Sequence, residues 1–369
     1  MSNIRFVIYT SVFFISAICL SLGLIYLYDP LQIYHKPYFR ETTFSSDMRR
    51  QALGIIKHYD FDSYILGTSM LENTSAKEAS EKLGGKWVNI SLSGSRFNER
   101  AIILNYLFQN KKPKQIIYSL EGYAITMQAD TSYFEHLYDQ NPINDLKEYL
   151  NLKFVTCALE YSTTDECVGY SKDLELMLFW NNHPFYYSRF GGFENWIANW
   201  NNNQIKKDMD YLASINSLPA FEPINQTFDI TPIAQYLIDN IVSFAKDNPQ
   251  TQFHIILPTH HRLFYRLNPS KDFYIWAQTM SWLIPYCEQF DNIKFYGFDH
   301  LDYADDIANY KDTLHYHHNL NSLHIDAIAQ NAFILNAQNI IPYLRFMEQK
   351  IMQYDATPLL NMIKSYENQ

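Results

Sequence analysis

Ser63-Tyr64-Ile65-Leu66-Gly67-Thr68-Ser69 is a short apolar run that stops at a glycine and continues into two hydroxyl residues. It reads as a buried strand delivering Ser69 into a tight turn, with a helix starting near Met70. In an open α/β sheet, ligands bind beyond the carboxyl ends of the strands. A serine placed there, with a helix N-terminus behind it, has N–H groups at hand to stabilise an oxyanion. The same residues also fit a plainer role, in which Ser69 only caps that helix.

Outward from this strand the pattern repeats. Residues 45–58 read as a helix capped by Ser45 or Ser46, and 75–83 as a short amphipathic helix closed by Gly84-Gly85. Residues 87–92 form a second strand ending at Ser93-Gly94-Ser95, followed by a helix over 97–109. Residues 114–120 form a third strand ending at Glu121-Gly122. Strand and helix alternating so closely predicts βαβ units and a parallel sheet. The rhythm then breaks. Residues of about 123–228 are rich in Tyr, Trp, Asn and Phe without a clean period, and read as an insertion over the sheet's edge or as a small helical domain. It resumes with a helix over 232–244 and a strand over 252–257 that ends at Pro258-Thr259-His260-His261. A helix over 271–290 interrupted by Pro285, a strand over 293–298 and a mostly helical remainder complete the chain. The expected fold is α/β, with a mainly parallel sheet in the order 2-1-3-4-5, since right-handed crossovers on both faces favour it.

Residues 6–28 carry no charge and have the length of a membrane-spanning helix. A cleaved signal peptide should have a shorter apolar core ending in small residues, whereas this run continues through Leu24, Ile25 and Leu27. The division expected is an anchor over 1–28 and one α/β domain over 29–369. Arg5 on one side and Lys36 and Arg40 on the other leave the orientation undecided by flanking charge. The net charge of −10 and the lack of a basic run argue against nucleic acid as a partner. Aromatics make up 16% of the chain, enough to line a binding cleft. Cys157 and Cys167 pair if the domain is extracytoplasmic and otherwise remain two buried thiols.

Asp312-Thr313-Leu314-His315 lies after the fifth strand. Asp and His three apart on one turn meet, so Asp312 can hold His315, and His315 can take the proton of Ser69. An aspartate beside the imidazole should place the His315 pKa at or above about 6.5. A metal site drawn from His260, His261, His315, His317 and His318 is disfavoured, because neighbours on one segment rarely converge on one ion. No cofactor is expected.

A Gly-x-Ser turn after the first strand, Gly94 after the second, and Asp312-x-x-His315 near the carboxyl end resemble the SGNH (GDSL-type) hydrolase superfamily. The likeness is closest to its membrane-anchored bacterial members, similar to alginate O-acetylation and DltD-type envelope proteins. The run Tyr310-Lys311-Asp312-Thr313-Leu314-His315-Tyr316 is similar to that group's YxD..HY run. The resemblance covers residues 60–122 and 250–330 and implies a three-layer, flavodoxin-like sheet. It implies Ser69 as nucleophile, His315 as base, Asp312 as its orienter, and an oxyanion hole from the N–H groups of Ser69 and Gly94. The family's third block usually supplies an Asn donor; this chain has Glu121, with Asn73 or Asn98 as substitutes. Glu121, Asn73, Asn98, His260 and His261 are the further residues expected at the substrate. The implied activity is O-acyl transfer or ester hydrolysis on a cell-envelope polysaccharide, on the periplasmic side of the inner membrane. The alternative is a catalytically degenerate SGNH fold that binds glycan or assists a membrane-bound O-acyltransferase.

Overall fold

The computed structural model describes residues 2–122, 125–175, 180 and 183–367. Where the sequence suggested one domain after the anchor, the chain divides into two compact units. One comprises Met1–Asp60, Gln109–Lys111 and Asp130–Leu174. The other comprises Phe61–Phe108, Lys112–Ala129 and Glu175–Gln369. The expected insertion is thus shared between them.

The first unit holds helix α1 (Ser2–Tyr28), whose Ile4–Tyr28 portion is long and apolar enough to cross a membrane. Asp29, fully buried, ends it: its carboxylate accepts the backbone N–H groups of Ile33, Tyr34 and His35 at 2.8–2.9 Å. Helix α2 (Met48–His58) starts later than the serine caps predicted. Ser45 Oγ instead accepts the Asp47 N–H, and the Asp47 carboxylate pairs with Arg50 at 2.6 Å. A disulfide joins Cys157 and Cys167, whose Cα atoms lie 5.8 Å apart.

The second unit is built on a mixed, mostly parallel sheet of β1 (Ser63–Leu66), β2 (Trp87–Asn89), β3 (Gln115–Ser119), β4 (Gln252–Leu257), β5 (Ile293–Gly297) and β6 (Ile334–Leu335). The order is β2-β1-β3-β4-β5-β6, with only β6 antiparallel. The two-residue β6 has too little pattern to be seen in sequence.

Helices cover both faces, as apolar strands buried on both sides require. On one face Ile65, Ile117, Ile256 and Tyr296 pack with Ala76 and Ala79 of α3 (Ala76–Leu83) and with Ile325 and Ile328 of the helix His318–Gln330. On the other, Tyr118 stacks on Phe97 and Phe253 on Phe108, both from α4 (Phe97–Asn110). The chain leaves β1 toward β2 on one side and returns to β3 on the other. That reversal places the end of β1 at a topological switch point, where such sheets bind ligands.

Candidate active site

No helix starts at Met70. Residues 69–73 form a turn, and α3 begins only at Ala76, with Ser75 as its N-cap. The carbonyls that a helix would use are held by side chains. Asn89 Nδ2 donates to the carbonyls of Leu71 at 2.7 Å and Thr74 at 2.9 Å. Tyr316 and Asn321 donate to that of Met70 at 2.8 and 2.9 Å. The helix N-terminus expected behind Ser69 is therefore replaced by a turn pinned from several directions.

Beneath that turn lies a buried ionic network. Glu121 accepts from the Thr68 hydroxyl at 2.8 Å, from the Ser119 hydroxyl, and from Arg100 at 2.8 Å. Arg100 also donates to the Ser119 carbonyl at 2.6 Å, and its guanidinium lies 4.5 Å from the centre of the Tyr118 ring. Arg100, Glu121, Ser119 and Thr68 are all fully buried. Gly67 has no room for a side chain, since a Cβ would run into Ser119 Oγ and Leu71. The strand-end glycine thus brings the turn down onto this network.

Above it, Ser69 Oγ lies 2.8 Å from His315 Nε2. His315 Nδ1 lies 2.8 Å from both Asp312 carboxylate oxygens. Asp312 Oδ1 also accepts the backbone N–H groups of Leu314 at 2.9 Å and His315 at 2.8 Å, which closes the loop on itself. A bridge between Tyr310 and Tyr316 holds the loop's two ends together. Three side chains from the two ends of the chain thus form one hydrogen-bonded line. Lys311 Nζ, buried, adds a contact of 3.1 Å to Asp312 Oδ2 and donates to Gln204 at 3.0 Å. It also lies 4.9 Å from the centre of the Trp180 ring.

Charge and burial set the protonation of this line. Burial pushes the Asp312 carboxyl up, but His315 and Lys311 outweigh it and hold Asp312 well below the usual carboxylate range. Burial lowers the His315 pKa; Asp312 opposes, Lys311 and Arg189 add to the lowering, and the net direction is downward. This corrects the expectation of a value at or above about 6.5: burial of the ring outweighs the pull of Asp312, and the positive Lys311 and Arg189 add to the lowering. The His315 ring is therefore neutral at pH 7, the form that accepts a proton.

Ser69 and His315 open onto a cleft of about 340 Å³, shared with Gly94, Glu72, Arg96, Trp180 and Lys311. Gly94 has φ +61°, a left-handed conformation suited to glycine. Other expected residues are engaged elsewhere. Asn73 Oδ1 accepts the Trp180 N–H at 3.3 Å and so secures the cleft wall. Asn98 bonds both backbone groups of Ala129, at 2.8 and 3.1 Å. His261 caps the helix Arg262–Leu267 through Nδ1. His260, lowered to about 4 by burial, contacts the Leu314 carbonyl at 3.4 Å and lines a separate apolar cavity of about 370 Å³ with Phe264, Phe273 and Trp276. Glu121 lies under the turn, fully buried, and lines neither of these two cavities. Among the described residues no three His, Cys, Asp or Glu side chains converge as metal ligands.

Sequence reasoning missed Lys311, Trp180, Arg96 and Arg100. Lys311 stands next to Asp312, and a buried position between two aromatic rings is not visible from that adjacency. Trp180 sits in the aperiodic insertion, where no spacing singles it out.

A serine within hydrogen-bond reach of a neutral imidazole, itself oriented by a carboxylate, is the arrangement that serine nucleophiles use. No protein-family model matches the chain, and no curated protein matches it in sequence.

Proposed function

We propose that the protein is a membrane-anchored, SGNH-type serine acyl-transfer enzyme, acting outside the cytoplasm on O-acyl groups of a cell-envelope glycan. The observation that carries this reading is the Ser69–His315–Asp312 line at the mouth of a cleft. In the first half-reaction Ser69 Oγ attacks the ester carbonyl and its proton passes to His315 Nε2. The N–H groups of Ser69 and Gly94 receive the developing oxyanion. The leaving alkoxide takes the proton from His315, which leaves an acyl-Ser69 ester. A sugar hydroxyl or water then gives its proton to His315 and takes the acyl group.

Trp180 and Tyr186 give the cleft the aromatic surface a sugar ring favours. The Cys157–Cys167 disulfide favours an oxidising compartment, and α1 supplies the anchor. A membrane-bound O-acyltransferase is a fitting source of acyl groups.

The test is a fluorophosphonate probe applied to the full chain in detergent. The wild type should label, Ser69→Ala should not, and Asp312→Asn should label about 10⁴-fold more slowly per folded molecule, read below an unfolding midpoint that drops because buried Lys311 loses its carboxylate. A folded wild type that does not label refutes the enzyme and leaves a glycan-binding or assembly role.

A further inference from the structure

The first unit carries an apolar surface that its own packing does not use. Leu152 is 84% exposed, Ile143 77% and Phe39 74%, and Tyr38, Leu150 and Leu159 are also exposed. They come from three separate segments, yet each is tied to the end of α1 or to the residues that directly follow it. The Tyr26 carbonyl bonds His35 Nε2 at 2.6 Å, and His35 stacks on Tyr38 at 4.1 Å, next to Phe39. The Tyr34 hydroxyl donates to the Pro142 carbonyl at 3.2 Å, beside Ile143. Tyr149, beside Leu150, donates its hydroxyl to Asp29 at 2.5 Å and accepts the Leu31 N–H at 3.1 Å.

On the remaining side, α5 (Leu152–Glu160) packs along the last turns of α1. The Tyr28 hydroxyl donates to the Ser162 carbonyl at 2.6 Å, and its ring meets that of Tyr161 at 5.4 Å. Phe154, Cys157 and Ala158 face inward on α5, which turns Leu152, Val155 and Leu159 outward along one stripe. The 25 residues of the apolar span give a helix of about 37 Å, longer than the roughly 30 Å hydrocarbon core, so its end reaches the bilayer interface. That is the level at which these residues are gathered. Lys36, Lys147 and Lys153 are exposed among them, as suits anionic headgroups.

We propose that this collar seats in the interface of the same bilayer that α1 crosses, with α5 lying on the membrane as an interfacial helix. The inference rests on α1 spanning a bilayer. The occupant is lipid, because the collar's segments are tied to the end of α1 and the residues that follow it, and lysines stand among its apolar side chains. The unit is then held flat against the membrane by many side chains rather than hung from one helix.

The test uses the full chain in proteoliposomes of phosphatidylcholine and phosphatidylglycerol brominated on their acyl chains. Leu152→Trp, Leu159→Trp and Phe39→Trp are compared with the parent, with Phe13→Trp as a reference inside α1. The emission added by each collar tryptophan should be quenched as the reference is. Quenching at Phe13→Trp with none at the three collar positions overturns the proposal and leaves the surface to a protein partner. Absence of quenching at all four overturns it too, and removes the anchor with it.

Discussion

Glu121 stands just past the end of β3, and its buried surroundings make it a strut rather than a donor to substrate. Consider Glu121→Gln. The amide oxygen can still accept from Thr68 or Ser119, but the negative charge opposite Arg100 is gone, and both partners are fully buried. Removing one member of a buried pair strands the other and costs about 3–5 kcal/mol. At about 2–4 °C per kcal/mol for a large domain, the unfolding midpoint should fall by about 6–20 °C. The double variant Arg100→Met, Glu121→Gln strands no charge and should recover much of that loss. Thermal unfolding of the parent, Glu121→Gln, Arg100→Met and the double variant, read alongside fluorophosphonate labelling of the folded fraction, measures the cycle. If Glu121→Gln unfolds within a degree or two of the parent while labelling collapses, the carboxylate acts on the chemistry and the structural account is wrong.

Two further outcomes follow from protonation. Ser69 labelling should rise with pH through a midpoint below about 6.5 and then level off, because burial lowers the His315 pKa and its neutral form is the base. Lys311→Met should move that midpoint upward, and a profile unmoved in that variant would exclude Lys311 from the site's electrostatics. Stability should fall on acidification from about pH 6.5. Burial lowers His254 and His260 to about 4 and His261 and His324 to about 3, so the unfolded chain binds protons that the folded one refuses. Each contributes up to about 1.4 kcal/mol per pH unit until its folded pKa is reached. His324→Phe should flatten the slope in urea unfolding at pH 4.5–6.5; a slope as steep as the parent's would show that His324 titrates normally.

Much of the parallel sheet was legible because its strands are short apolar runs closed by glycine, proline or hydroxyl residues. The end of β1 shows the limit. Ser69 and its turn were visible, but the missing helix at Met70 depends on Asn89, Tyr316 and Asn321, which reach that turn from distant segments. Asp312 and His315 were visible as an i, i+3 pair on one loop. The direction of the His315 shift was not, since it depends first on the burial of the ring and then on where Lys311 and Arg189 stand in space. Asn98 was expected at the substrate as a stand-in for the asparagine of the resembled family, and His261 as lining the cleft or capping the fourth strand. Their side chains instead satisfy local backbone groups, which an alternation pattern does not reveal.

Ser69 and His315 are 246 residues apart, whereas His315 and Asp312 share one turn. Closing a loop of that length costs about 5 kcal/mol of chain entropy, several times the net worth of one hydrogen bond. The contact between them cannot assemble itself; it forms only when the sheet and its packed helices have already brought both ends together. During synthesis Ser69 emerges long before His315, and on the mechanism proposed above it stays an ordinary alcohol until the last third of the chain has folded. Chemical competence is thus acquired late and all at once. A chain truncated before His315 would keep Ser69 but lose the imidazole and, with Tyr316 and Asn321, two of the bonds that hold the serine's turn.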